Sequence, residues 1–188
     1  MMATQDCPPE SVDHIGDRLD HPDRVPVEYR HLIPDDRARV SWILRHPVMG
    51  RVFDVGCSDG AITRRIAARW PRATVTGLDV TEWDIRQPCT GGPLIDAIFC
   101  TEVLEHLFPH ESQIALANLW TILKSTGQLI VTVPNREYDD RLRARWAWPD
   151  HRQYFSYASL NAVLRRQFAA VQLSPIVDGI WLGAVCTK

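Results

Sequence analysis

The sequence predicts a doubly wound α/β domain: a mostly parallel sheet with helices on both faces, finished by an antiparallel strand at the C-terminus. Three observations carry this. Short β-rich runs alternate with segments of helical apolar spacing, and a glycine-bearing loop joins one such run to the helix after it. The chain ends in two apolar runs parted by a turn, the pattern of a hairpin.

In chain order, residues 1–26 are rich in Asp, Pro and His without an apolar period, so a flexible arm is expected there and a single domain over 27–188. PDDRARVSWILRHP reads as a helix. Pro34, Asp35 and Asp36 open it, Val40, Ile43 and Leu44 form its apolar face, and Pro47 stops it. Arg51 to Val55 is a short strand, followed by the loop Gly56 to Gly60. AITRRIAARW then places apolar residues at 62, 66, 67 and 70, a helical spacing. Strands are expected at Ala73 to Leu78, ending at Asp79, and at Ile95 to Cys100. Helices should begin near Glu102 and again cover Glu111 to Leu123. After Gly127 the β-branched run QLIVTV ends at Pro134, and residues 135–151 form the longest stretch without a clear period. A helix from Tyr157 to Arg166 and the runs AAVQL and GIWLGAVC, parted by SPIVDG, complete the fold.

Composition narrows the function. A chain of 188 residues, 45% hydrophobic and 23% charged, suits one core. The net charge of −2, from 19 Arg and only 2 Lys against 23 acids, builds no field of one sign that would draw nucleic acid or an anionic membrane. No apolar run approaches the roughly 20 residues of a bilayer helix, and MMATQDCPPESVDH lacks a signal-like apolar stretch. A cytoplasmic protein with no membrane partner is expected. Its five cysteines are scattered without a CxxC pair and read as reduced thiols.

VFDVGCSDG suits the first strand-to-helix turn of such a sheet, where backbone approaches a ligand most closely. Gly56 and Gly60 remove side chains, and the helix from Ala61 offers free N–H groups. Asp79, 23 residues after Gly56 at the end of the second strand, is placed for a ribose diol. Together these specify an adenosine-bearing cofactor. The dinucleotide pattern G-x-G-x-x-G fails at Ser58 and Ala61, and no phosphate-binding P-loop is present. Asp54 would repel phosphates and suits a cationic ligand, as a sulfonium with an ammonium group would be.

VFDVGCSDG, VTGLD, DAIFCTEVLEHL and LIVTVPN, in this order and spacing, resemble the class I S-adenosylmethionine-dependent methyltransferases over roughly residues 51–188. The resemblance implies their seven-stranded type of sheet, shortened by one helix after the second strand. Only VTEWDIRQPCTGGPL, with Pro88, Gly91, Gly92 and Pro93, separates Asp79 from the strand at Ile95. It implies that Gly56, Cys57, Ser58 and Gly60 wrap the methionine part of S-adenosylmethionine, with Asp54 near its amino group. Asp79 and the adjoining Val80 would hold the ribose, Asp84 the adenine amino group beside Trp83, and Thr101 would lie next to the cofactor. The family usually has glycine where Ser58 stands.

Glu102, Glu105 and His106 lie at i, i+3 and i+4 and would project from one face of a helix, with His110 extending the stripe. Two carboxylates and an imidazole can bind a divalent metal or supply a general base; acids are also favoured in a helix's first turn for its dipole alone. EVLEHL resembles two methyltransferase branches that use it for metal, the ubiquinone-biosynthesis O-methyltransferases and the small-RNA 3′-terminal 2′-O-methyltransferases. VPNREYDD and PDHRQYF echo the second branch in Glu137, Tyr138, Asp150 and His151. That resemblance implies His151 as fourth ligand of a Mg, Mn or Zn ion beside Glu102, Glu105 and His106.

Arg136, Arg141, Arg143, Arg145 and Arg152 with Trp146 and Trp148 could meet phosphates and bases, or pair with nearby acids and serve as lid or core groups. Tyr29, Arg30 and His31 could close over the cofactor. Cys57 reads as a loop filler, and His14, His21 and His46 as solvated. The reading that results is methyl transfer to a small-molecule acceptor, an oxygen, with His106 and His151 as catalytic groups. RNA 2′-O-methylation and a non-catalytic scaffold are the alternatives.

Overall fold

In the computed structural model, which describes residues 19–23, 33–137 and 150–188, the helix expected from Pro34 is α1 (Ile33–Leu44). It leads to β1 (Gly50–Val55), α2 (Ala61–Arg69) and β2 (Ala73–Leu78). Next come β3 (Ile95–Thr101), a single 3-10 turn (Leu104–His106), α3 (Pro109–Ile122), β4 (Leu123–Pro134), α4 (Tyr157–Leu164), β5 (Ala170–Ile176) and β6 (Trp181–Thr187). The strands form one sheet in the order β2-β1-β3-β4-β6-β5. β1 pairs in parallel with β2 and β3, and β3 with β4, while β6 runs antiparallel to both β4 and β5.

Alternation along the strands buries both faces of the sheet. Ala97, Phe99 and Ile130 face α1 and α2, packing with Val40, Ile43, Ile62 and Ile66. Ile98, Cys100, Leu129 and Val131 face the other way, against Leu116, Leu119, Leu160 and Leu164 of α3 and α4. Each fully buried aliphatic chain contributes roughly 1.5–3 kcal/mol, which is what holds the helices in place.

The shortening expected after the second strand is present: 79–94 supplies neither helix nor strand, so among the described residues the sheet has six strands with β2 at an edge. The prolines and glycines of 79–94 permit only turns, pinned to α3 where Arg86 pairs with Glu111 at 2.8 Å. One expectation is corrected. The α-helix expected from Glu102 does not form: Glu102 has φ +56°, a left-handed residue that a right-handed helix cannot continue. The helix instead starts at Pro109, where the Glu111 carboxylate accepts from the Phe108 amide at 2.9 Å. Among the described residues no helix is long and apolar enough to cross a membrane.

Candidate active site

Strand order reverses between β1 and β3, so the crevice at their carboxyl ends is where an open α/β sheet admits a ligand. From β1 the chain enters the loop with Gly56 at φ +70°, Ser58 at +48° and Gly60 at +75°. The Gly56 amide donates to the Leu78 carbonyl at 2.7 Å, tying the loop to the end of β2, and Asp59 accepts from the Ala61 amide at 3.0 Å to cap α2. A Cβ at Gly56 would fall 2.4 Å from Val103 Cγ2, so this position is closed to any side chain. Ser58 holds the same left-handed backbone, which glycine adopts more freely.

Gly56, Ser58 and Asp59 are exposed, whereas Asp54 beneath them is 1% exposed. Burial lifts the Asp54 carboxyl to about 6, although the Thr63 hydroxyl, donating at 2.6 Å, pulls the other way. Cys57 is half-buried; burial first, then Asp54, Asp79 and Glu82, push its thiol up. These three carboxylates surround the loop, which favours a cationic ligand. Asp79 is half-buried at the end of β2, its Oδ1 accepting from the Val80 amide at 2.7 Å, while Val80 is 62% exposed. Thr101 is buried at the end of β3.

Asp84 is placed differently from expectation. Arg86 donates to it from Nε at 2.9 Å and from Nη2 at 2.8 Å and holds its carboxyl below the usual range, so its oxygens are already engaged. Trp83 packs partly buried against the core and donates to the Gln87 carbonyl at 3.1 Å.

On the acceptor side, with no helix from Glu102, the i, i+3, i+4 face is not built. What the structure brings together instead is Glu105, His106 and His151, each offering one ligand-type atom, all within 4.8 Å of one another. The chain returns to make this possible: the Arg152 and Gln153 amides donate to the Glu105 carbonyl at 2.7 and 3.2 Å, and Gln153 Nε2 to the Leu104 carbonyl at 2.7 Å. Glu105 is 2% exposed, whereas the His106 side chain is 39% exposed. The two imidazoles meet edge-on with centroids 5.0 Å apart, and His106 Nδ1 lies 3.5 Å from Asp150. Burial first, and then His151, hold the His106 imidazole below its ordinary value.

Glu102 turns away from this cluster to Arg39, Thr132 and Trp181. No spacing rule links positions 39, 102 and 181, and sequence reasoning missed Arg39 and Trp181. His46, expected in solvent, is half-buried edge-on to Trp42 with centroids 4.5 Å apart. Tyr29, Arg30, His31, Tyr138, Arg141, Arg143, Arg145, Trp146 and Trp148 lie outside the described residues.

A family profile described as "Methyltransferase domain" matches residues 27–173. The trans-aconitate 2-methyltransferase of Azoarcus sp. (strain BH72) is 30% identical over 127 residues, 56% of this chain and 49% of that protein. That of Streptomyces avermitilis is 52% identical over 42 residues, 22% of this chain and 15% of that protein. The chain thus spans at most about half the length of these curated relatives. Among solved structures, the small RNA methyltransferase HEN1 superposes with a TM-score of 0.71 at 17% identity, over 82% of this chain and 25% of that one. N-methyltransferase NodS from Bradyrhizobium japonicum WM9, in complex with S-adenosyl-L-homocysteine, gives 0.60 at 20% identity, over 82% and 88%. At these identities the likeness is one of fold.

Proposed function

The chain belongs to the methyltransferase-domain family, and from that premise we propose that it transfers a methyl group from S-adenosylmethionine to an oxygen of a small-molecule acceptor. The curated relatives, both named for a small acid, support that acceptor class. The observation that carries the reading is the Glu105, His106 and His151 cluster at the end of the strand that neighbours the cofactor loop.

The residues present fit the cofactor: an exposed loop closed to side chains at Gly56, a buried carboxylate below it, and Asp79 at the end of β2. When bound, S-adenosylmethionine supplies an electrophilic methyl on a cationic sulfur. Asp54 favours its ammonium group and Asp79 its ribose hydroxyls, so the two fix it at both ends. With His106 Nδ1 turned to Asp150, Nε2 takes the proton of the acceptor hydroxyl. Two imidazoles and a carboxylate also fit a divalent metal (Mg, Mn or Zn), which Glu105, His106 and His151 would hold and which would make that hydroxyl more acidic.

Calorimetric titration of S-adenosylhomocysteine into chelator-treated protein, repeated with Zn²⁺ or Mn²⁺, tests this. Asp79→Ala should weaken binding about 10- to 100-fold, the worth of losing bonds from a charged group. Glu105→Gln and His151→Ala should each weaken metal at least about tenfold, by the loss of one of three ligands. Failure to bind S-adenosylhomocysteine would sink the proposal in favour of a scaffold. RNA is the second reading, favoured by His151 of the PDHRQYF segment joining Glu105 and His106; it requires binding to a single-stranded RNA that falls steeply with salt.

A further inference from the structure

Glu102 stands apart from the cluster that its neighbours form. Its Oε1 accepts from the Thr132 hydroxyl at 2.9 Å and lies 3.3 Å from Arg39 Nη1, and its Oε2 accepts from Trp181 Nε1 at 2.8 Å. One carboxylate therefore gathers donors from α1, β4 and β6. Arg39, 5% exposed, reaches Asp36 at 3.4 Å with its other amino group and lies 5.2 Å from the centre of the Trp181 ring. Thr132 is fully buried.

Arg39 is buried and Glu102 half-buried, and the acids around Arg39 outweigh the cost of its burial, but glutamate at φ +56° adds backbone strain. What the arrangement does is fix a turn. The Glu102 amide donates to the Thr132 carbonyl at 2.9 Å, and the left-handed residue swings the chain off β3. Val103 then lies against Gly56 of the cofactor loop, and the 3-10 turn carries Glu105 and His106 to His151. The same residue thus sets the wall of the cofactor loop and the position of the acceptor groups.

We infer that Glu102 is a positioning residue of the acceptor site and neither a metal ligand nor a base: clamped by Arg39, Thr132 and Trp181, it holds the turn that brings Glu105 and His106 to His151. The inference rests on the proposed function for its meaning, but its test does not.

Zn²⁺ affinity, read against a competing dye, gives opposite signs for the two roles in Arg39→Met. A clamp predicts that Glu102→Gln and Arg39→Met each weaken Zn²⁺ about fivefold or more, and that the double variant is no worse than either single, because both undo one interaction. A ligand predicts that Arg39→Met, by freeing Glu102, tightens Zn²⁺ while Glu102→Gln weakens it, and that result would overturn the inference.

The second readout is the nuclear Overhauser contact between the His106 and His151 ring protons in metal-free protein. It is expected in the wild type and lost in Glu102→Gln. Its persistence in Glu102→Gln, with Zn²⁺ affinity within twofold of wild type, would also overturn the inference. A wild type that binds no Zn²⁺ removes the metal from the proposed function and leaves the ring contact to decide here. Should Arg39→Met fail to fold by circular dichroism, Trp181→Phe, which keeps a ring but removes the indole N–H, takes its place with the same expected sign.

Discussion

The two halves of the proposed site, one for the cofactor and one for the acceptor, are built in different ways. The cofactor half comes from a short stretch of chain: Asp54 to Gly60 lie in one strand-to-helix turn, and Asp79 follows at the end of the adjacent strand. The acceptor half is gathered from afar, with Glu105 and His106 on one segment, His151 on another, and Arg39, Thr132 and Trp181 holding Glu102 between them. One half is specified by backbone conformation, which a few residue types dictate. The other is specified by tertiary contacts and tolerates many sequences as long as they meet. Substitutions in the first half should therefore act on cofactor binding directly, and those in the second through geometry.

The largest expected effect tests this at Gly56. A valine there meets Val103 and must also take φ +70°, which a β-branched residue resists. Gly56→Val should abolish measurable S-adenosylhomocysteine binding, at least about 100-fold, the size expected when strain of order 1–3 kcal/mol adds to a steric clash. Calorimetry checks it. Binding within tenfold of wild type would mean that the loop is not the cradle and that the contrast between the halves is misdrawn.

What the sequence made legible follows the same division. The left-handed positions of the Gly56 to Gly60 loop and the strand ends were readable because positive-φ positions and short periodic runs leave local signatures. The shortened 79–94 connection was readable from its prolines and glycines. Glu102 was misread because E-x-x-E-H has helical spacing, and nothing local announces that Thr132 and Trp181 will draw its carboxylate elsewhere and leave it left-handed. His151 entered only through a resemblance, since its meeting with His106 depends on Gln153 docking against Leu104. Asp84 looked available until the guanidinium two residues on was seen to occupy it.

An intermediate effect is expected in pH dependence. Asp54 has its folded-state carboxyl raised to about 6 by burial, so its ionisation works against the free protein as pH rises from the ordinary carboxylate range near 4 through about 6. A cation placed over it prefers the ionised form. S-adenosylhomocysteine carries the ammonium group without the sulfonium, so its affinity should be nearly constant between about pH 7 and 8, where the ammonium is still charged, and fall by up to about tenfold per unit below 6. Asp54→Asn should flatten that profile and weaken binding at pH 7.5. An unchanged profile in the variant would move the titrating group elsewhere.

The smallest expected effect is at Ser58, where the cofactor half carries a strain that the fold does not need. At φ +48° a glycine is unstrained, so Ser58→Gly relieves the folded state while costing unfolded-chain entropy. The two terms oppose each other, and the net gain should be at most about 1 kcal/mol, a rise in thermal midpoint of about 2–4 °C for a domain of this size. The comparison with bound ligand decides what the strain is for. If Ser58→Gly stabilises the free protein and leaves S-adenosylhomocysteine affinity unaltered, the hydroxyl is a passenger on a backbone that fixes the loop by itself. If affinity drops severalfold while stability rises, the serine has traded backbone ease for a contact with the cofactor, and the first half of the site too depends on a side chain.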